Sequence, residues 1–383
     1  GTSTLDSTGG ILISDLQSTG AVSASGLSLD ITSSGALAFD NAAAGAGTLR
    51  IATAGDLTLA NASSTDSMTL SSSGGSISST GAVTSGGSFS ADGANGLNFA
   101  SLSTADTTTL SAAGGAITIA DLVKAGRITA SARSIDITSS GGLFFDKATA
   151  TAGGLSISTA QTLTVNGDSS ATGNVSLSSA AGLAYHGTLT SGGTTQLTAV
   201  GGPLSVASLT SAGSVSAIGR SIDISSPGSL TFDGAAATAG DLSLTTLDFT
   251  ATGPLSATGV VAITGTNGIS LGTLTSGGTT ALTASSGAIL AGDIHSVGAV
   301  SATGQSVSLG STIALNLGSV NATAGNLTVT ALDVTGTGAL SASGNAAIDS
   351  AGGIALGLLS SGGTTRLTAD GAIALTDLRS VGL

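Results

Sequence analysis

The sequence lacks cysteine, tryptophan and glutamate, and several other residue types are scarce. Its 383 residues include three Pro, one Tyr, one Met and eight Lys or Arg. Without cysteine the chain has neither disulfides nor thiolate metal ligands. Because Glu, Lys, Gln, Met and Arg are strong helix formers, their scarcity argues against a helical protein. The abundant Ser, Thr, Gly, Ala, Leu, Val and Ile instead favour short strands and tight turns.

The charge and hydropathy exclude two further classes of protein. All 21 acidic residues are Asp, and the net charge is −13. The mean hydropathy is +0.49, whereas disordered chains combine low hydrophobicity with high charge. The sequence contains no run of about 18 apolar residues, so we expect no transmembrane helix. The acidic balance also argues against nucleic acid as a partner.

One phrase is repeated at a constant spacing. GTLTSGGTTQLTA at 187–199 returns as GTLTSGGTTALTA at 272–284 and as GLLSSGGTTRLTA at 357–369. Such a phrase is either a binding site used repeatedly or a structural element. No helix follows it, which argues against a phosphate cradle. Its place between two apolar strands predicts a corner, in which Gly supplies the positive φ of a tight turn.

A shorter repeat underlies the phrase. Apolar anchors in phrases such as LTA and VSA recur mostly every ~20 residues, a period typical of solenoids, and four intervals are longer. Apolar residues alternate with Ser and Thr around each anchor, which indicates short strands with one buried face. The anchors are Leu5, Val22, Ile51, Leu70, Phe89, Leu110, Ile128, Ile157, Leu177, Leu197, Val215, Leu244, Ile263, Leu282, Val300, Val329, Ile348 and Leu367.

These repeats predict an all-β parallel β-solenoid of about 18 rungs, with the anchors in one inward column. One rung cannot bury enough apolar surface to offset the entropy of ordering it, so stability must come from stacking. We expect a single continuous solenoid over residues 1–383. It divides into super-repeats 22–127, 128–214, 215–299 and 300–383, preceded by a partial repeat, 1–21.

The four longer intervals, which we call the long units, begin at Val22, Ile128, Val215 and Val300. Each contains an additional apolar-x-apolar strand. The pattern therefore predicts four enlarged rungs, each with a small side lobe. Their structural core is predicted to contain Phe39, Phe145, Phe232 and Leu317.

Rungs of about 20 residues with L-x-A-x-G-x-L-x-L spacing resemble the repeat shafts of filamentous-haemagglutinin-like exoproteins, the adhesins of bacterial two-partner secretion. The resemblance covers essentially the whole chain. The Asn-Pro-Asn turns of that family's secretion domain are absent, so the resemblance is to the shaft. It implies a right-handed β-helix, export to the cell surface, and adhesion or fibre formation.

A search for catalytic and metal sites gives weak candidates. Asp30, Asp136 and Asp223 align within the long units, as do Asp40, Asp146 and Asp233. Successive members of each set lie several rungs apart and cannot pair. Asp30 and Asp40 are close enough for a Ca²⁺ site to be considered, but solvated turn carboxylates are the simpler interpretation. We expect no catalytic, metal or cofactor-binding residues and no cofactor.

Other chemistry-bearing residues are sparse. Lys124, Arg127 and Arg133 form a local basic cluster, interpreted as solvated. Tyr185 and His186 form the one aromatic pair expected at the surface. His186 and His295 lie in different super-repeats, and no partner recurs with either.

The sequence thus favours a non-catalytic structural and adhesive role, as an extracellular shaft or filament segment of a bacterial surface protein. A carbohydrate-binding or polysaccharide-degrading β-helix enzyme and an ice-binding solenoid are the alternatives. No polar cap covers either end of the repeat array, although solenoids need such caps. We therefore expect the ends to be covered by more of the same polypeptide or by a copy stacked head to tail, with an unknown surface ligand as a further partner.

Overall fold

The computed structural model describes residues 2–382, which form strands and turns without any helix. No described segment is therefore a helix long and apolar enough to cross a membrane. The chain folds as a parallel β-solenoid of about 19 turns, which confirms the predicted fold class. It divides into two compact units, residues 1–195 and 196–383.

The first unit contains strands β1 to β21. Their bounds are β1 Ser3–Asp6, β2 Ile11–Ile13, β3 Val22–Gly26, β4 Leu29–Ser33, β5 Leu37–Ala44, β6 Leu49–Thr53, β7 Leu57–Leu59, β8 Ala62–Ser64, β9 Met68–Ser72, β10 Ser76–Ser85, β11 Phe89–Gly93, β12 Gly96–Thr104, β13 Thr108–Ile119, β14 Leu122–Lys124, β15 Arg127–Ser139, β16 Leu143–Ala150, β17 Leu155–Thr159, β18 Leu163–Val165, β19 Ser169–Ala171, β20 Val175–Ser179 and β21 Leu183–Ser191.

Strand β22 begins at the boundary, and the second unit continues to β40. The bounds are β22 Thr195–Ala199, β23 Leu204–Ser211, β24 Val215–Gly219, β25 Ile222–Ser225, β26 Leu230–Ala237, β27 Leu242–Ala251, β28 Leu255–Ala257, β29 Val261–Ser276, β30 Thr280–Thr283, β31 Ala288–Ser296, β32 Val300–Gly304, β33 Val307–Gly310, β34 Leu315–Ala322, β35 Leu327–Ala331, β36 Val334–Ala342, β37 Ala346–Ser350, β38 Ile354–Ser361, β39 Thr365–Ala369 and β40 Ile373–Ser380.

Within each unit a strand pairs in parallel with its counterpart one turn away. In the first unit, for example, Ile31 pairs with Ile51 and Ile51 with Leu70. Burial alternates along the strands, so that Leu, Ile, Val and Ala side chains fill the interior and most Ser and Thr face outward; the buried Ser and Thr are found mainly at strand ends. The anchors are buried, except for Leu5 and Leu367 in the first and last described turns, which are half-buried. Each turn thus relies on its neighbours for its backbone hydrogen bonds and for the burial of its apolar side chains.

The register corrects the prediction of enlarged rungs. Each predicted lobe residue pairs directly with the anchor that starts its long unit, one turn below. The pairs are Val22 with Phe39, Ile128 with Phe145, Val215 with Phe232, and Val300 with Leu317. The four side chains are at most 2% exposed, and they belong to the main core rather than to a side lobe. The extra strand of a long unit therefore starts the next ordinary turn.

The long units change which strands stack on which. In the first unit, β14 ends a column of strands, and the tight turn at 139–142 lies over it: the Ser139 hydroxyl donates to the Leu122 carbonyl. A new column starts with Leu143, which pairs with Leu163 in the next turn. The prediction that all anchors form one column is therefore wrong. Leu110 pairs with Ala130, and Ile128 pairs with Thr108. A long unit marks this change of face.

The terminal turns leave part of the core uncovered. Ile11 and Ile13 in β2 are half-buried, as are Leu367 in β39 and Leu375 in β40. Ile373 and Leu378 in β40 are 45% and 50% exposed. Equivalent side chains in interior turns are almost fully buried because a neighbouring turn covers them. These two edges are the least covered parts of the described core.

Candidate functional site

Several Asp and Asn side chains have the same structural task at successive turns. At corners and strand ends, an Asp or Asn side-chain oxygen accepts the backbone N–H of a residue in the following turn. The donor–acceptor distances are 2.7–3.2 Å, and the bonded pairs are Asp15–Ser34, Asp56–Ser76, Asn61–Ala82, Asp121–Ser140, Asp168–Thr188, Asn174–Thr194, Asp241–Val260, Asp293–Thr312, Asn326–Asn345, Asp333–Gly353 and Asn345–Thr364.

This contact gives a physical reason for the absence of glutamate. Neighbouring strands lie about 4.8 Å apart, and the short side chain of Asp or Asn spans that distance to an N–H of the next turn. One more methylene would carry the oxygen past the donor or force the side chain to fold back. Asp and Asn are also the residues whose side chains suit turns. For the seven Asp among these pairs, the short acidic side chain therefore serves a turn-to-turn contact.

Four tight corners, one in each long unit, share the same local structure. They cover residues 33–36, 139–142, 226–229 and 311–314, and we number them corners 1 to 4. In each, the first residue is a Ser whose Oγ accepts the N–H two residues later, a turn stabilised by its own side chain. The donors are the amides of Gly35, Gly141, Gly228 and Ile313.

The corners differ in their contact to the turn below. In corners 1, 2 and 4, the second residue donates its N–H and its hydroxyl to an Asp carboxylate, from Asp15, Asp121 and Asp293 respectively. In corner 3 the second residue is Pro227, which has no N–H to donate. The corresponding position of the preceding turn, where the other corners have Asp, is Ser208. Corner 3 therefore lacks both the N–H donor and the carboxylate acceptor.

The electrostatics of two corners follow from these bonds. The N–H of Ser34 holds the pKa of Asp15 below its usual value, with help from Gln17 and the Ser34 hydroxyl. The N–H of Thr312 likewise lowers the pKa of Asp293. His295 adds to corner 4, since its Nε2 lies 3.1 Å from Asp293 and 2.9 Å from Thr312 Oγ1. Both contacts use the same ring nitrogen, whereas a proton relay of the Ser-His-Asp type uses both nitrogens.

The repeated SGG phrase is a corner, as predicted, but its glycines serve a different purpose from the one expected. Among residues 2–382, Gly96 alone has a positive φ, 146°. A Cβ on Gly192, Gly277 or Gly362 would lie 2.2 Å from a carbonyl oxygen of the turn below. The preceding Ser is buried, and its hydroxyl donates to corner carbonyls, as Ser361 does to Gly344 and Gly363. Close stacking, not left-handed backbone, requires glycine here.

The aligned aspartates of the long units are placed in two ways. Asp30 faces outward and pairs with Arg50, 2.8 Å away, in the next turn; Asp136 and Asp223 face outward at the same place in their units. The second set, Asp40, Asp146 and Asp233, occupies β-bulges, where the register slips by one residue after the anchor. Among residues 2–382 no three His, Asp or Glu side chains lie together as metal ligands would. Asp30 and Asp40 therefore belong to no such group.

The predicted aromatic pair is corrected by the structure. Tyr185 is buried, 1% exposed, and burial raises its pKa to about 12. Its hydroxyl donates to the Thr188 carbonyl at 3.4 Å, while His186 remains at the surface. Phe144 instead has a partly exposed ring, whereas Tyr185 and the other six Phe are nearly fully buried. The doublet Phe144–Phe145 contained this signal, because alternation places one ring inside and the next outside.

Phe144 belongs to a charged cluster. The Arg127 guanidinium lies over its ring, 5.9 Å from the centroid, and contacts Asp146 Oδ1 through Nη2 at 2.9 Å and Nε at 3.0 Å. Lys147 follows Asp146 and pairs in register with Thr129, two residues after Arg127. The sequence pattern assigned Arg127 to a solvated cluster with Lys124 and Arg133. The contacts place Arg127 with Phe144 and Asp146 instead, and the register places Lys147 beside them.

A groove in the first unit was compared with the polysaccharide-degrading alternative. It has a volume of about 310 Å³ and is lined by Thr118, Asp136, Ser156, Asn174 and their neighbours. Among its described lining residues it contains one carboxylate, Asp136. Glycoside hydrolysis ordinarily uses a pair of carboxylates on either side of the scissile bond. This groove does not supply that arrangement.

Comparisons with known proteins add one finding. Residues 304–359 match the model of a family described as repeats of unknown function (DUF5649). No curated protein matches the sequence, and no solved structure matches the chain. The matched segment runs from the end of β32 into β38 and includes corner 4. Together with the stacked turns, this match identifies a repeat protein with a β-solenoid fold.

Proposed function

We propose that the protein is a structural shaft or filament segment of a bacterial surface exoprotein, exported and adhesive in the manner of the filamentous-haemagglutinin-like proteins it resembles. The observation that carries the proposal is the way the turns are joined within each unit. Parallel backbone pairing, a continuous apolar core and Asp or Asn contacts link each turn to the next. These three features recur along the chain, and few turns add charged or aromatic side chains to them.

These features suit mechanical work better than catalysis. A force along the axis would have to break every backbone bond of a turn together with its core contacts. The outward Ser and Thr side chains keep the surface polar without charged or aromatic clusters over most turns. The absence of cysteine from the sequence also suits export of an unfolded chain, in which wrong disulfides would be a hazard. Both points support an extracellular location.

Single-molecule pulling tests the mechanical role. With handles at both ends of the chain, we expect stepwise extension, each step releasing about one turn. For about 20 residues at 3.3–3.6 Å each, a step is about 66–72 Å. A chain that extends smoothly at low force would contradict the proposal.

The extracellular location is tested separately, by immunogold labelling of intact source cells. Label found only in permeabilised cells would contradict export.

We further propose that the uncovered edges at the terminal turns are covered in use by another turn of the same architecture, from the same polypeptide or from a copy stacked head to tail. Exposed strand edges with apolar side chains recruit further strands. A head-to-tail contact is heterologous and would propagate as a filament. Light scattering and electron microscopy of residues 1–383 across a concentration series test self-stacking. Monodisperse monomers at high concentration would contradict it and leave continuation within one polypeptide.

A further inference from the structure

The cluster around Phe144 is the most distinctive surface of the first unit. Arg127 and Phe144 pair in register on adjacent strands, and Thr129 and Lys147 pair beside them. With neighbouring strands about 4.8 Å apart, the four side chains form one compact outward patch. We call Arg127, Phe144 and Lys147 the Phe144 patch. The β-bulge at Asp146 lies within it, and bulges often re-aim side chains beside binding sites.

The patch is specific to one repeat. The other three long units carry small or polar residues at the same places: Ala21, Ala38 and Asn41; Ser214, Thr231 and Gly234; Ala299, Asn316 and Ser319. The underlying scaffold is nevertheless shared, since all four units have the anchor pairing and the register slip that follows it. The patch is therefore not required by the fold. Its residues differ from the repeat at positions where the other long units have small or polar residues.

The two cations of the Phe144 patch, Arg127 and Lys147, are suited to binding an anion. The chain has eight Lys and Arg against 21 Asp, and four of those cations, Lys124, Arg127, Arg133 and Lys147, lie close together in the sequence. Lys147 makes no ion pair among residues 2–382. Arg127 is held by Asp146 and by the ring of Phe144, yet its side chain is 61% exposed. A guanidinium fixed in this way has donors left for a carboxylate.

We propose that the Phe144 patch binds an acidic saccharide, a sugar bearing a carboxylate. Arg127 and Lys147 would hold the carboxylate, and the apolar C–H face of the sugar ring would pack on the exposed part of Phe144. The next two residues above Phe144 in register are Thr164 and Ala184, whose small side chains leave room beside the aromatic ring. Thr129 and Thr164 offer hydroxyls to those of the sugar. This site is additional to the mechanical role and does not depend on it.

The backbone argues for a saccharide over an acidic peptide. Peptides commonly bind a sheet by adding a strand at a free edge. Strands β15 and β16 have no free edge here, because β15 pairs with β13, β16 and β17, and β16 pairs with β18 and β19. A ligand of the Phe144 patch must bind through side chains alone. A sugar ring offers a carboxylate, hydroxyls and an apolar face within the area of one such patch.

The test is a titration of residues 1–383 by calorimetry with oligogalacturonate, the corresponding neutral galactose oligosaccharide and a hexaglutamate peptide. We expect saturable binding of oligogalacturonate, at least about tenfold weaker binding of the other two, and a loss of about tenfold or more in Arg127→Ala/Phe144→Ala/Lys147→Asn. These substitutions copy the first long unit, so the fold should be retained, which circular dichroism checks. No saturable binding, equal binding of the peptide, or unchanged affinity in the folded variant would overturn the proposal.

Transplanting the patch provides a matched gain-of-binding control. The third long unit already has Asp233 at its bulge, and a Cβ on Gly234 meets only the Pro254 carbonyl, at 3.4 Å. We expect Ser214→Arg/Thr231→Phe/Gly234→Lys to raise the stoichiometry for oligogalacturonate from one to two. A folded variant that still binds one equivalent would show that these residues do not form the site.

Discussion

Corners 2 and 3 make the same tight turn with different chemistry. Both begin with a buried Ser whose Oγ accepts the N–H two residues on. Corner 2 is then tied to the turn below by Asp121, which accepts the N–H and hydroxyl of Ser140. Corner 3 has Pro227 in place of that donor and Ser208 in place of the acceptor. The pyrrolidine ring of Pro227 fixes φ without a hydrogen-bond partner, so the ring itself holds the conformation of corner 3.

The comparison teaches which repeated residues depend on each other. An Asp is found below a corner where the corner presents an N–H, and it is missing where that N–H is missing. The core behaves differently, because Phe145 and Phe232 occupy the same place in both units and both are fully buried. The surface differs again, since the Phe144 patch is present in the second long unit and absent from the third. Core, corner and surface thus change independently.

The largest expected effect concerns the shared core. Phe145→Ala should lower the free energy of unfolding by about 3–5 kcal/mol, as a large-to-small change in a packed interior. Phe232→Ala should cost about 0.5–1.5 kcal/mol more, because the Phe232 ring stacks on Phe249 at 5.5 Å. Urea unfolding and hydrogen exchange of the flanking turns measure both. Phe144→Ala is the surface control and should have little effect; a cost equal to that of Phe145→Ala would contradict the assignment of inner and outer faces.

The next effect tests close stacking at the repeated phrase. Gly277→Ala places a Cβ 2.2 Å from the Thr258 carbonyl oxygen and should cost about 1–3 kcal/mol through forced displacement of backbone. Gly272→Ala, earlier in the same phrase, meets nothing within 4 Å and should be nearly neutral. Thermal unfolding followed by circular dichroism compares them. Equal costs would mean that glycine is required for conformation and not for space.

A smaller effect separates the two corners directly. Asp121→Ala removes the acceptor of the Ser140 N–H and should cost about 0.5–1.5 kcal/mol. Ser208→Asp should give no gain while Pro227 is present, because proline offers no donor. Pro227→Ser alone should lower the free energy of unfolding. In the double variant Ser208→Asp/Pro227→Ser, the Asp should restore part of that loss. Additive effects in this double-mutant cycle would contradict the coupling of donor and acceptor.

The smallest effect is a pH dependence. The pKa values of Asp15 and Asp293 are lowered in the fold by the N–H groups of Ser34 and Thr312. Their contribution to stability is therefore present above the unfolded pKa of about 3.9 and is lost as the pH falls through the lower folded values. Hydrogen exchange at Ser34 and Thr312 should accelerate in that acidic range, corrected for intrinsic rates.

Corner 3 and two amide variants are the controls for this pH dependence. The Gly228 amide, whose acceptor is the Ser226 hydroxyl, should show no such acceleration. Asp15→Asn and Asp293→Asn retain a side-chain oxygen but do not titrate, so they should flatten the profile at corners 1 and 4. Identical profiles at all these corners, or an unchanged profile in the variants, would contradict the role of the carboxylates.

The sequence by itself determined the class of fold. A short, nearly constant period, alternation within each strand and glycine at the corners leave stacked parallel turns as the arrangement that buries every anchor. The same alternation placed Phe39, Phe145, Phe232 and Leu317 inside, where the structure has them. These features are local, or repeat so regularly that each turn predicts its neighbour.

Only the tertiary structure decided which turn lies on which. The longer spacing of four intervals suggested enlarged rungs, but pairing of Val22 with Phe39 shows an ordinary turn and a change of face. Register, not spacing, also showed that Asp121 reaches Ser140, that Gly277 meets the Thr258 carbonyl, and that Arg127 lies over Phe144. Each contact joins residues about one turn apart in the sequence, and a one-residue bulge is enough to change partners. The pattern of apolar residues constrains the inward side chains because the core must be filled, whereas outward neighbours are fixed only when the strands pair.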